Sequence, residues 1–321
     1  MTLLRILALL LVALASTAGA QAQKYPDRLV RIVVPYPAGG GSDTMARLVA
    51  QRLTEMWGQP VIVENKPGAS GNIGLEGVAR SAGDGYTLVL MPSNHSINPP
   101  LFGNLPFDPI KDFTPIVAVG SSPVFVAVNS SVPIRTVGEL IAKLRASPGS
   151  LSYASCGNGT PQHLAGELMK ATARIDMTHI PYKGCSVAIP DLLSGQVQVG
   201  FSTVANFNPH IKSGKLTGLA VTSKTRSALA PDIPTVAESG LAGYDVDVWF
   251  GLLGPAKMPP AVVEKINRDV NTILANRDIR DKLLQQYYEP MGGTPEQFAN
   301  LIQTDLVRWG SLIRAVGIKV D

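Results

Sequence analysis

The chain is poor in charge, aromatic rings, cysteine and long apolar runs, and each shortage narrows what it does. Of its 321 residues 16% are charged and 6% aromatic, against 45% hydrophobic. The 28 Lys and Arg outnumber the 24 Asp and Glu by a net +4, and they are scattered, without a basic block or interleaved aromatics. That pattern argues against nucleic acid as a partner, while a mild positive field favours small anions only weakly. Beyond the first two dozen residues, Pro, Gly or a charge interrupts every apolar stretch before it reaches bilayer length. The four histidines, His95, His163, His179 and His210, have no second His or Cys at metal-ligand spacing on one element, so neither a metal nor a cofactor is expected. The run Gly39-Gly40-Gly41 is not followed by the Gly-Lys-Ser/Thr of a phosphate loop, and no Gly-x-Gly-x-x-Gly follows the first strand signal. There is no Gly-x-Ser-x-Gly elbow, and Ser42, Ser93 and Ser155 have no legible base partner, so the chain is read as a non-enzyme.

What is present begins with a leader. Arg5 precedes an apolar run from Ile6 to Ala15, and small residues follow to Ala22. Either Ala18-Gly19-Ala20 or Ala20-Gln21-Ala22 suits cleavage, so residues 1–22 are read as a signal peptide and the mature chain as periplasmic. Roughly 300 residues remain, enough for two domains. In that compartment the pair Cys156 and Cys185 reads as a disulfide.

Strand and helix signals alternate. Leu29 to Val34 is β-branched and ends at Pro35; the turn Pro37 to Gly41 leads to Ser42 or Asp43 as the cap of a helix with Met45, Leu48, Val49, Leu53 and Met56 on one face. Gly58 closes it. Further strands are expected over 60–64, 86–91, 123–128, 151–154, 176–181, 197–201, 216–221 and 244–253, with a polar turn at Ser93 to Ser96 and a loop holding Asn206 and Asn208. Thr136 and Glu139 have capping-box spacing, and Cys185 to Ser194 reads as a helix. From Pro259 to about Gly317 the pattern is helical with breaks near Asp278 and Gly292-Gly293, without a sheet of its own. The fold class is therefore α/β with two lobes, each a mainly parallel sheet flanked by helices: 24–122 plus 250–321 as lobe one and 123–249 as lobe two.

Ligands of open α/β sheets sit beyond the carboxyl ends of the strands. Three turns there are Gly-rich and open helices: 37–43, 67–72 and 155–160. Glycine permits positive φ and close approach, and a helix start offers free N–H donors, so together they make an anion site without a charged side chain. Asp43 reads first as a cap and Trp249 first as core, with ligand contact as the second reading of each. Cys156 and Cys185 each lie just past a predicted strand, and those strands are joined by one helix, which puts the cysteines at disulfide spacing.

Tyr25-Pro26, Val33 to Gly40, Asp43, Val63 to Ala69, Gly71 to Gly74 and Asp84 to Leu88 resemble the Bug receptors, the Bordetella-uptake-gene solute-binding proteins of the tripartite tricarboxylate transporter system. Ser155 to Thr160 with His163 to Ala165, Pro181 to Gly184, Leu192 to Val197, Pro231 to Thr235 and Trp249 to Pro255 extend the likeness along nearly the whole mature chain. The resemblance implies a Venus-flytrap (type II periplasmic-binding-protein) fold, a small carboxylate solute, integral-membrane transporter components as partners, and a monomer. Carried over residue by residue, it implies a ligand loop of Ala38, Gly39, Gly40, Gly41, Ser42 and Asp43, with Ala69 and Ser70 beside it. Ser155, Gly157, Asn158, Gly159 and Thr160 would sit across the cleft, and Tyr36, Ser93, His95, Tyr182, Asn206 and Trp249 are further candidate ligand contacts. Two departures stand out. Many relatives carry Phe at Tyr36 and Asp at Asn206; the added hydroxyl either alters the pocket or faces solvent, and the lost acid removes a charge near the cleft. The alternatives are a sensor or adaptor of the same fold and, less favoured, a secreted hydrolase.

Overall fold

Val30–Val34 (β1) is buried along nearly its whole length, as a strand sandwiched between two helical layers must be. In the computed structural model, which describes residues 25–227 and 229–318, it opens a regular βα succession; the expected signal peptide lies outside the described residues. The elements that follow are α1 (Gly41–Trp57), β2 (Val61–Asn65), α2 (Asn72–Ala79), β3 (Thr87–Pro92), α3 (Asn94–Phe102) and β4 (Phe113–Asn129). Then come α4 (Val137–Ala146), β5 (Ser152–Ser155), α5 (Pro161–Ala173), β6 (Thr178–Pro181), α6 (Cys185–Ser194), β7 (Val199–Thr203), α7 (Val204–Lys212) and β8 (Leu216–Val221). The chain ends with β9 (Asp247–Pro255), α8 (Pro260–Ala275), α9 (Arg277–Gln285), β10 (Glu289–Gly292) and α10 (Pro295–Val316).

The strands run in the order β2-β1-β3-β9-β4-β7-β5-β6, with β8 and β10 also paired to β4. The βα units are parallel, as alternation predicts: β1 with β2 and β3, and β5 with β6 and β7. The strands that tie the lobes together, β4 and β9, instead pair antiparallel with their neighbours, so each lobe's sheet is mixed. Strand β4, 17 residues long, belongs to both lobes. Its first part pairs with β9 up to Pro123 opposite Asp247, and from Val124 onward it pairs with β7 and β8. The second crossing, between β8 and β9, is fastened to the first by Thr222. Its N–H donates to the Val124 carbonyl at 2.9 Å and its hydroxyl to the Val246 carbonyl at 2.6 Å. Helix α10 packs on α3 and on β4, and α8 packs on β4 and α1.

Several local expectations hold. Gly58 closes α1 at φ 66°, Thr136 accepts from the Glu139 N–H, and α6 and β8 have the expected bounds. Others change. The turn expected at Ser93 to Ser96 is the start of α3, which tolerates Pro99 and Pro100. The loop expected around Asn206 is α7. The first part of β4 was hidden by Pro115, Gly120 and Pro123; register shifts on either side of Ile116 and Val119 absorb the irregularity. The C-terminal tail is not purely helical, because β10 adds a strand beside Ala118 to Ser121.

Cys156, just after β5, and Cys185, the first residue of α6, are bridged with their Cα atoms 4.2 Å apart. The bond closes a chain segment of sequence separation 29, so its reduction is expected to cost about 3–4 kcal/mol. Thiol titration of the denatured, unreduced protein should find no free thiol; two per chain would contradict the bridge.

Asp247 stands where β4 changes partners, and its Oδ1 is buried without a hydrogen-bond partner. Burial, and then the neighbouring Asp245 and Glu289, push its carboxyl up to about 7. The unfolded value is about 4. Between those pH values the native state holds a proton that the unfolded chain has released, so stability falls as pH rises through this window. Asp247→Asn should therefore stabilise the protein by about 1–3 kcal/mol at pH 8 and by nearly nothing at pH 4. Denaturant titrations at both values check this, and an equal effect at the two would contradict it.

Candidate functional site

The lobe-one wall begins where β1 ends. Gly39 takes φ 84°, which only glycine adopts freely, and the chain then enters α1. Neither Ser42 nor Asp43 caps that helix; the N-cap is Gly40, without a side-chain bond. Asp43 instead ties the turn together. Its Oδ2 accepts from the Gly39 N–H at 3.0 Å and from Arg47 Nε at 2.9 Å, and its Oδ1 accepts from Asn65 Nδ2 at 3.0 Å. Burial opposes its charge, but the bonds from Arg47, Gly39 and Asn65 prevail and hold its carboxyl below the usual range. The Tyr36 hydroxyl donates to the Ser70 carbonyl at 3.0 Å, locking the first loop to the second. In that second loop Gly68, Ala69, Ser70 and Gly71 all have positive φ, a run that costs energy at Ala69 and Ser70. The strained turn aims Ser70 Oγ across the cleft at the Asn158 carbonyl, 2.5 Å away.

The lobe-two wall is the segment from Ser155 to Thr160 and the start of α5. Thr160 caps α5 by accepting from the His163 N–H, and its hydroxyl donates to the Gly157 carbonyl at 2.7 Å. Gly157 and Gly159 are at φ 124° and 74°. A Cβ on Gly157 would stand 2.8 Å from the Tyr182 carbonyl, and one on Gly159 would stand 2.9 Å from Leu101 of lobe one, so both need bare backbone. Asn94 Nδ2 donates to the Gly159 carbonyl at 2.8 Å, a second bond between the lobes.

Behind this segment Ser155 Oγ lies 2.7 Å from His179 Nε2, a serine–histidine pair that the sequence did not reveal. It is not arranged as a nucleophile and base. Ser155 is buried and also bonded to Gly157, and the His179 ring is stacked between Tyr153 and His163 at 4.7 and 4.1 Å. Among the described residues no carboxylate bonds the His179 ring to orient it. Burial, and then His163, press the His179 pKa down to about 3, so the ring is neutral and serves to brace the loop.

Between the walls lie two neighbouring pockets that share Tyr36, Pro37, Cys156 and Thr160 in their linings, a chamber of about 80 Å³ and a vestibule of about 580 Å³. Tyr36, Gly40, Gly41, Ser42, Thr160 and Asn206 border the chamber; Ala69, Ser70, Gly157, Asn158 and Tyr182 border the vestibule, where Tyr36 and Thr160 also reach. The remaining expected residues stand elsewhere. Ala38 and Gly39 are exposed on the loop, while Asp43, Ser155 and Gly159 support it from behind. Ser93 is buried at the start of α3. His95 is a core residue: its Nε2 meets the Pro109 carbonyl at 2.8 Å and its ring meets Phe113 edge-on, and burial lowers its pKa to about 4. Trp249 donates to Asp305 at 2.7 Å on the far face of β9, whereas its neighbours Val248 and Phe250 face the chamber, as strand alternation requires. Arg226, the arginine that falls after a strand end, is taken up at the surface by Glu238 at 2.9 Å.

Sequence reasoning did not single out Asn94, Gln162, Ser186 or Thr203, all of which border the chamber. Gln162 sits in the first turn of α5 and Thr203 at the end of β7, so both obey the strand-end rule. Among the described residues no charged side chain borders the chamber, and Lys183 borders only the vestibule. Four helices instead open on the chamber with their N-termini: α1 at Gly40 to Ser42, α5 at Thr160 to Gln162, α6 at Gly184 to Ser186, and α7 at Thr203 and Asn206. Their unpaired N–H groups and dipoles favour negative charge at one point.

Solved structures of the same architecture accompany this geometry. Rpa4515 of Rhodopseudomonas palustris, determined with adipate, is 33% identical, with 92% of this chain and 99% of that chain covered and a TM-score of 0.88. The periplasmic binding protein BugD is also 33% identical, over 92% of this chain and 99% of its own, at a TM-score of 0.86. MatC of Rhodopseudomonas palustris, with bound malate, is 31% identical, over 90% and 100%, at 0.82. Residues 45–318 match the tripartite tricarboxylate transporter family receptor, TctC. The chain thus belongs to the TctC receptor family, the Bug-type solute-binding receptors, whose members bind solutes and are not enzymes.

Proposed function

We propose that this receptor works in the periplasm, captures a small carboxylate-bearing solute between its lobes and delivers it to the membrane components of a tripartite tricarboxylate transporter. The observation that carries the reading is the chamber itself, bordered by no charged side chain among the described residues and faced by four helix N-termini. The adipate and malate held by two similar proteins support it. In this reading lobe one is 24–122 plus 250–321 and lobe two is 123–249; the change of partners along β4 between Pro123 and Val124 supports the division.

A carboxylate approaching α1 meets backbone N–H groups of the Gly40 to Ser42 turn. Those donors are fixed by the fold, so binding orders no long side chain. Closure then brings Thr160 and the starts of α5, α6 and α7 against the ligand, and excluding water strengthens each charge-assisted bond. Ser70 and Asn94, bonded to the Asn158 and Gly159 carbonyls, hold the lobes together in that state. None of these contacts is a full ion pair, which suits a receptor that must also release its cargo. A sensor or adaptor would share this chemistry; loss of solute uptake in cells lacking the receptor distinguishes the transporter role.

The binding mechanism is tested by two variants and the acid that co-purifies with the native protein. A Cβ at Gly40 meets nothing closer than the Pro37 carbonyl at 3.8 Å, so Gly40→Val should fold while its side chain intrudes on the chamber. Calorimetry should show affinity reduced at least about 100-fold by Gly40→Val, or about 3 kcal/mol, and changed less than threefold by Arg226→Ala. Loss of binding in Arg226→Ala with binding kept in Gly40→Val would mean that a side-chain cation reads the carboxylate.

A further inference from the structure

The disulfide between Cys156 and Cys185 stands in the wall of the cleft. Cys156 borders both the chamber and the vestibule, and Cys185 borders the chamber. The two residues differ in access. Cys156 is buried just after β5, whereas Cys185, the first residue of α6, is half-buried.

Little else holds the start of α6 in place. Strand β6, which leads into it, lies at the edge of the sheet beside β5, and none of its four residues is fully buried. The last backbone tie before α6 is the Tyr182 N–H, which donates to the Ser155 carbonyl at 3.4 Å. The Tyr182 hydroxyl bonds Asp191 at 2.6 Å, but Asp191 lies on α6 itself, so that bond moves with the helix. Of the ten residues of α6 only Ala188 and Leu192 are buried. Among the described residues no hydrogen bond joins Gly184, Cys185 or Ser186 to another element, yet all three line the chamber. The covalent bridge is what fixes them there. A segment with so few buried contacts opens locally at small cost once its tether is cut.

The surroundings of the buried sulfur suit reduction. Ser202 Oγ lies 4.0 Å from Cys156 Sγ, and Asn206 Nδ2 donates to the same oxygen at 2.9 Å. With Asn206 as its donor, the Ser202 hydroxyl keeps its own proton for the sulfur. A thiolate forming on Cys156 therefore meets a donor, which makes Cys156 the better leaving group. An Asp at position 206 would accept that proton's hydrogen bond instead.

Resting on the carboxylate reading above, we propose that the Cys156–Cys185 bridge is a redox switch on solute capture. A dithiol reductant attacks the more accessible Cys185 Sγ as a thiolate; the bond between the cysteines breaks and Cys156 leaves as a thiolate. The second thiol of the reductant then attacks the mixed disulfide, closes the reductant's own disulfide and expels Cys185. Two electrons pass to the receptor, and each cysteine takes up a proton that the dithiol has released. The freed start of α6 withdraws its part of the chamber wall, and affinity falls. The coupling is reciprocal, so a solute held in the chamber disfavours reduction by the same factor.

The test uses the full mature chain, freed of carried-over ligand by unfolding and refolding with the disulfide intact, and calorimetry with succinate, malate, glutarate and adipate in turn. The acid that binds the oxidised protein most tightly should bind at least tenfold more weakly after reduction by dithiothreitol, in protein that still melts cooperatively. Cys156→Ser combined with Cys185→Ser should bind as weakly as the reduced chain and ignore dithiothreitol. In mixtures of reduced and oxidised dithiothreitol, saturating acid should lower the reduction potential of the bridge by about 30 mV for each tenfold ratio of affinities. Reduction should be slowed by bound acid and, without acid, by Ser202→Ala. A loss of affinity smaller than tenfold overturns the switch while the carboxylate reading stands. So does a reduced chain without a cooperative melt, which would make the bridge a structural staple, or a reduction rate that neither acid nor Ser202→Ala changes. Binding of none of the four acids by oxidised, cooperatively melting protein overturns both readings.

Discussion

Parallel βα units place every strand's carboxyl end and every following helix's N-terminus on one side of a sheet, and this polarity governs the whole molecule. In each lobe the units point that side at the cleft, so α1 faces α5, α6 and α7 across a chamber of about 80 Å³. Each helix brings orphan N–H groups and about half a positive charge to its start. One such terminus is common in α/β proteins. Four at one chamber, with no lysine or arginine among the described residues that line it, make a site whose charge preference is built into the backbone.

The backbone must be held rigid for that to work, and side chains that look functional in the sequence do the holding. Asp43 binds three donors from its own loop and from Arg47 and Asn65. Tyr36 locks the first loop to Ser70, and His179 braces Ser155 beneath the second lobe's turn. The disulfide from Cys156 to Cys185 joins the segments at the starts of α5 and α6. The crossings between lobes are few by comparison: β4 and the segment entering β9, cross-linked by Thr222. Polar ties also run between the lobes, from Ser70 to Asn158, Asn94 to Gly159, Arg308 to Asp245 and Ser227 to Glu289.

Much of this was legible without coordinates. Alternation and Gly-rich turns place β1, α1 and the lobe-two turn, and strand-end logic brings Cys156 to Cys185. The losses have physical reasons. Pro99 and Pro100 disguise α3, and Pro115 and Pro123 disguise the strand that links the lobes, because local breakers are overruled by pairing with β9. The parity of β9 is invisible until its partners are known, so Trp249 was favoured over Phe250, which faces the chamber. Gln162 and Thr203 carry no motif; their place beside the chamber is a property of the fold alone.

Binding of an acid by backbone donors of α1 is the claim on which the rest turns. Amide chemical shifts recorded by NMR on ¹⁵N-labelled protein, with and without saturating acid, test it most directly. The account predicts large downfield shifts of the Gly41 and Ser42 N–H protons, with Arg and Lys side-chain resonances unchanged. Unmoved Gly41 and Ser42 amides, with a shifted Lys183 or arginine side chain, would contradict it.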